Sequence, residues 1–142
     1  MLDPRTTRVM IIDRDPRSVA QVKSLFGALG YLDTDDANSA AVAFQRLHNC
    51  DQFGQSAFGL VYIDWNLDAP ANGSMVLEAL RGDYKIRWTR CIMCCEMRHV
   101  PYAKYMIKEQ LLDGMVMKPP TLASLRAVLE PLTPPLLPPF NV

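Results

Sequence analysis

An α/β fold, one parallel five-stranded sheet covered by helices on both faces, is what this sequence predicts, and three observations predict it. Apolar runs of strand length alternate five times with stretches of helical periodicity. The alternation calls for crossover helices, which cover a parallel sheet on both sides. Three of the runs end in a polar or charged residue, Asp13, Asp64 and Lys118, and in such folds ligand chemistry collects outside the carboxyl ends of the strands.

The elements follow in order. Residues 8–13, RVMIID, form a short β-branched run ending in an acid. Asp15-Pro16 reads as an N-cap and first helical position. Val19, Val22, Phe26 and Leu29 then repeat at helical spacing until Gly30 ends the helix. Residues 31–36 make a weak, polar strand suited to a sheet edge, with Asp33, Asp35 and Asp36 read as its solvated side. A helix over about 39–47 buries Ala40, Ala43, Phe44 and Leu47. The second strong apolar run, 58–63, ends at Asp64. A loop with Pro70 and Gly73 leads into a helix carrying Met75, Leu77 and Leu80. TRCIMCCEM is the fourth strand, and a helix over about 101–111 carries Tyr102, Tyr105 and Met106. Gly114-Met-Val-Met-Lys118 is the fifth strand. Thr121 caps a last helix through Leu122, Leu125, Val128 and Leu129. The domain is expected over 1–130. Residues 131–142 are rich in proline and cannot form regular helix. They read as a linker in preference to a strap laid on the domain through Leu136, Leu137 and Phe140.

Composition narrows the function. The 142 residues suffice for one domain with a core. Fifteen basic and 15 acidic side chains leave no basic excess for direct nucleic-acid contact. No apolar run approaches a membrane span. The start, MLDPRTTR, is unlike a signal peptide, so a cytoplasmic setting is expected. Cys91, Cys94 and Cys95 tempt a metal or redox reading. In a strand, however, Cys94 points away from both Cys91 and Cys95, and no Cys/His pair completes a zinc site.

The four motifs taken in order resemble the receiver domain of bacterial two-component response regulators. VMIIDRDP looks like the first strand with its acidic pair. LVYIDWNLDAPANG looks like the third strand with the phospho-accepting aspartate, TRCIMCCEM like the fourth, and GMVMKPP like the fifth with its lysine-proline. The resemblance runs from about Arg8 to Leu129. It implies a flavodoxin-like (βα)5 three-layer sandwich with strand order 2-1-3-4-5 and a cis Lys118–Pro119 bond. It implies that Asp64 takes a phosphoryl group from a sensor histidine kinase or phosphotransfer protein. It further implies Mg²⁺ held by Asp13, Asp64 and the Asn66 carbonyl, with Lys118 on the phosphate. The chemistry suits those types: a divalent ion neutralises phosphoryl oxygens, and a lysine is a mobile point charge.

Four positions depart from the pattern. Arg14 stands where the family has its second acid, which should weaken Mg²⁺ binding. Cys95 stands where the hydroxyl residue ending the fourth strand is expected, and a thiol is a weak donor. Met115 replaces the switch aromatic three residues before the lysine. The loop after Asp64 is one residue longer and adds Asp68. The expectation is therefore a signalling module rather than an enzyme. It either accepts phosphate at Asp64 or, as the altered residues favour, acts as a degenerate, phosphate-independent receiver. The 101–129 face is the expected partner or homodimer surface. Other readings remain open at this level: Asp64 as a helix cap, Lys118 as a surface lysine, Arg14 as a structural ion-pair partner. Asp13 and Asp15 also resemble the D-x-D motif of haloacid-dehalogenase-type phosphatases, although Pro16, Arg17 and Ser18 do not continue it.

Overall fold

A computed structural model describes residues 2–49, 57–67 and 72–135. Asp68, Pro70 and the tail residues Leu136, Leu137 and Phe140 lie outside them. Among the described residues the chain runs β1 (Val9–Ile12), α1 (Pro16–Ala28), β2 (Thr34–Ala37), α2 (Ala40–Asn49), β3 (Leu60–Asp64), α3 (Gly73–Gly82), β4 (Arg90–Cys95), α4 (Val100–Lys108), β5 (Gly114–Met117) and α5 (Leu122–Leu129). A single turn of 3-10 helix, Met97–His99, precedes α4. The strands form one sheet in the order β2-β1-β3-β4-β5, and every pairing is parallel. This is the topology the motifs imply, and the Lys118–Pro119 bond is cis.

Strand residues alternate between two cores, because successive side chains leave opposite faces of the pleat. Met10, Ile12, Val61, Ile63, Met93 and Cys95 join the layer under α2, α3 and α4. Val9, Ile11, Leu60, Tyr62, Ile92, Cys94 and Val116 join the layer under α1 and α5. Cys91 and Cys95 therefore share one face while Cys94 takes the other, as the alternation predicts. The helix boundaries follow their caps. Asp15 accepts from Arg17 N at the start of α1. Asn72 accepts from Met75 N at α3, and Thr121 with Ser124 makes a reciprocal capping box at α5.

One reading of the sequence changes. The acids of β2 are not simply solvated. Lys23 lies 2.6 Å from Asp36, Arg46 3.1 Å from Asp35, and Arg8 3.6 Å from Asp33. Arg8 is itself buried, with its guanidinium 4.1 Å above the Phe58 ring. An edge strand carrying paired charges presents a poor template for further strands. The described start of the tail touches the domain. Leu132 is buried, and Arg90 donates to the Thr133 carbonyl (2.9 Å) and hydroxyl (3.0 Å).

That arginine belongs to a network at the amino ends of β4 and β5. Asp113 accepts from Arg81 (3.0 Å), Arg90 (3.3 Å) and the backbone N–H of Cys91 (2.8 Å). Arg81 also donates to the carbonyls of Leu111, Arg87 and Thr89. One carboxylate thus fixes the arginine that ties the loops before β4 and β5 together. Replacing Asp113 with alanine should cost about 2 kcal/mol, because it leaves partly buried donors unmatched. Chemical denaturation should show that loss with little change in the denaturant slope.

Candidate functional site

The carboxyl ends of β1, β3 and β5 meet at one end of the sheet. β3 lies between β1 and β4, which puts Asp64 at its centre. A cleft of about 520 Å³ opens there, lined by Arg14, Asp15, Ser18, Gln21, Asp64, Asn66, Cys94, Glu96, Lys118, Pro119 and Pro120. Asp64 is 5% exposed and Asp13 2%. Lys118 reaches across from the end of β5, its Nζ 2.6 Å from Asp64 Oδ1. The same oxygen accepts from the backbone N–H of Asn66 at 3.3 Å. Asp13, Asp64, Asn66 and Lys118 thus come together as the sequence implies.

The backbone around Asp64 is closely held. Trp65 N donates to the Cys94 carbonyl (2.9 Å), and Gly73 N donates to the Trp65 carbonyl (2.8 Å). A Cβ at Gly73 would stand 2.8 Å from the Asp64 carbonyl oxygen and 3.0 Å from Trp65 Cα. Glycine is required there for close approach, not for its backbone angles.

One predicted residue is misplaced. Cys95 is fully buried on the opposite face of the sheet, in the layer under α2, α3 and α4. The thiol on the cleft wall is that of Cys94, which sits beside Asp64 in the strand register. The reason is the two-residue period of a strand: one step along β4 exchanges the faces. Glu96 is a second residue the sequence reading passed over. It accepts from Asn66 Nδ2 at 3.1 Å and pairs with Arg98 at 3.2 Å. Its place two residues after Cys94, on the same face of the strand path, was the available signal. Met115 is half-buried against the core.

The electrostatics are those of a crowded anionic site. Burial pushes the Asp64 carboxyl above its ordinary range; the hydrogen bond from Lys118 opposes that rise, and the Asp13 charge adds to it. Burial also raises the Cys94 thiol to about 11, so it stays protonated at neutral pH and is a poor nucleophile. The Tyr62 phenol, buried next to Cys94, is likewise raised by burial.

A resident Mg²⁺ would meet two carboxylates here, Asp13 and Asp64, with Arg14 lining the same cleft. That ion wants near-octahedral oxygen ligands from carboxylates, carbonyls and waters. Among the described residues no group of three His, Cys, Asp or Glu side chains is placed to hold a metal. Asp13 Oδ1 accepts from Asp15 N (2.9 Å), and Asp15 caps α1. Glu96 is engaged by Asn66 and Arg98, and Arg14 adds a positive charge to the cleft wall. The same two bonds give Asp13 and Asp15 the task of shaping the β1–α1 turn, where a D-x-D phosphatase would need both carboxylates open to substrate.

No family model and no curated protein matches the chain, whereas solved structures match it along most of its length. A sensor protein from Polaromonas sp. JS666 superposes with a TM-score of 0.73 at 19% identity, covering 87% of this chain and 93% of that one. A response regulator receiver domain protein from Clostridium thermocellum gives 0.71 at 17%, covering 86% and 90%. The receiver domain of NtrX from Brucella abortus gives 0.71 at 18%, covering 86% and 94%. The chain has the fold of a response-regulator receiver domain. No helix of the described residues is long and apolar enough to cross a membrane.

Two outcomes follow. Asp64→Asn should raise the melting temperature at neutral pH, since it removes a buried charge whose folded-state affinity for a proton exceeds the unfolded one. A raised carboxyl is a cost present above the folded value and absent below the ordinary 3.8. The gap between variant and wild type should therefore close on acidification through that window; a variant less stable at pH 7 would contradict the charge assignment. Gly73→Ala should cost about 1–3 kcal/mol, because its methyl meets backbone rather than a yielding side chain.

Proposed function

We propose that this chain is a receiver-type signal-transduction module that works through protein contacts and has given up metal-dependent phosphoryl transfer at Asp64. The observation that carries the reading is the pairing of Lys118 with Asp64 at 2.6 Å, in a cleft where Arg14 takes the place of a metal-binding acid. A receiver that is phosphorylated needs a divalent ion to neutralise the incoming phosphoryl oxygens. Here the neutralising charges belong to the protein. The hydroxyl that would meet a phosphoryl oxygen is also missing: Cys94 occupies that wall with a buried thiol, a weak donor.

The partners this reading calls for are a sensor histidine kinase or phosphotransfer protein on the Asp64 side and a protein or second copy on the 101–129 face. On that face Tyr105 is 55% exposed and Tyr102 41%. A signalling module needs no turnover of its own, and no substrate chemistry is assigned to the cleft.

The test is a Mg²⁺ titration read through Trp65 fluorescence, since that indole adjoins Asp64. A unit charge at about 4 Å acts with roughly 4 kcal/mol at surface-like dielectric, and each 1.4 kcal/mol is a decade of affinity. Even a screened fraction of that predicts that Arg14→Asp tightens Mg²⁺ binding by more than about tenfold. Adding Cys94→Thr should then permit phosphorylation of Asp64 by a small acyl phosphate. Tight Mg²⁺ binding by the wild type, unchanged by Arg14→Asp, would return Asp64 to a conventional phospho-acceptor.

A further inference from the structure

From the cleft to the surface of α4 runs a ladder of rings. The Trp65 indole stacks on the His99 imidazole, with centroids 4.4 Å apart and planes at 18°. Tyr102 meets Trp65 edge-on at 5.4 Å and 88°. Tyr105 follows Tyr102 at 6.3 Å and 29°. Its first rung is joined to Asp64 by a peptide bond and fixed by the Trp65 N to Cys94 O hydrogen bond. Its last rung is exposed. The fifth strand offers no ring for such a route, because Met115 stands where one would be expected.

The stacked rung is a histidine with an unusual constraint. His99 Nδ1 is shielded from solvent and has no hydrogen-bond partner among the described residues. A neutral imidazole tolerates this, since one ring nitrogen can be left as an unfilled acceptor. The charged ring carries protons on both nitrogens, so Nδ1–H would become a buried donor with nothing to receive it. Trp65 presents its ring face to His99. The charged groups acting on it are Arg98 and Glu96 from the adjoining turn and Lys118 from the end of β5. Arg98 and Lys118 disfavour imidazolium, Glu96 favours it, and partial burial sides with the cations.

We propose that His99 is a proton-operated coupler: protonation of its ring breaks the stack on Trp65 and thereby changes how Tyr102 and Tyr105 are presented on α4. At neutral pH the imidazole is uncharged and the ladder is closed. On acidification the ring must turn to give Nδ1–H an acceptor, and its stack on Trp65, the ring that Tyr102 meets edge-on, is lost. The movement links the Asp64 cleft to the partner surface in either direction, without phosphate or metal. Only the meaning of the link rests on the receiver reading; the ladder and its titration do not.

The experiment uses the full chain with Trp88→Phe, which leaves Trp65 as the single indole, and Asp64→Asn, which removes the neighbouring carboxyl's titration. Trp65 emission and the backbone amide signals of Tyr102, Tyr105 and Lys118 are followed from pH 4 to pH 8, with no metal or phosphoryl donor present. The expected result is one shared titration with a midpoint below the ordinary histidine value of 6.5. It should vanish in His99→Gln and persist in His48→Gln. Tyr102→Leu should keep the Trp65 titration and silence that of Tyr105. Should His99→Gln fail to fold, the Tyr102→Leu result decides. A flat Trp65 signal, a titration that survives His99→Gln, or a Tyr105 titration untouched by Tyr102→Leu would each overturn the proposal. Such a failure leaves the Mg²⁺ prediction standing, so the two readings fail separately.

Discussion

Two carboxylates, Asp13 and Asp64, are buried at the carboxyl ends of adjacent strands, and the site is organised by the need to balance them. Burial raises the Asp64 carboxyl, and the charge of Asp13 adds to that rise. The sheet order brings β1 and β3 side by side, so the fold itself creates the problem. Lys118 answers it from β5, passing over the end of β4 to reach Asp64. Backbone N–H groups of Asp15 and Asn66 also donate to the two carboxylates. Arg14 adds a further cation at the wall. On the reading we propose, a site balanced in this way by its own side chains has little electrostatic need of a divalent ion.

The two ends of the sheet divide the labour. At the amino ends, Asp113, Arg81 and Arg90 spend their hydrogen bonds on loops and on the first residues of the proline-rich tail. That end is saturated, and it holds β4 and β5 in register. At the carboxyl ends, side chains face an open cleft: Asp15 caps its own helix, Asn66 donates to Glu96, and Trp65 stacks on His99. Polar groups at the first end are spent on stability. Those at the second are arranged around a buried charge that destabilises the fold, as functional groups commonly do.

Much of this was legible in the sequence, for physical reasons. The parallel sheet followed from apolar runs separated by helical periodicity, and its strand order from the resemblance that the motifs at the strand ends carry. Asp15 was readable as a cap because an acid before proline at a helix start has few other uses. Asp13, Asp64 and Lys118 were readable because each closes an apolar run. What failed was face assignment within a run that is apolar on both sides. In CIMCC nothing polar marks the register, so the motif points to Cys95 where the structure presents Cys94. The pairing of Asp33, Asp35 and Asp36 depends on Arg8, Lys23 and Arg46, which are distant in sequence from those acids. The Trp65–His99 stack joins residues 34 positions apart by number. Tertiary neighbours of that kind leave no local pattern.

The most direct measurement is the intact mass of the wild-type chain after incubation with a small acyl phosphate and Mg²⁺, under conditions that preserve aspartyl phosphate. A site whose buried carboxylate is paired with Lys118 and whose wall carries Arg14 predicts, on the proposed reading, an unmodified mass. A phosphoryl adduct on the wild type that Asp64→Asn abolishes would contradict the account.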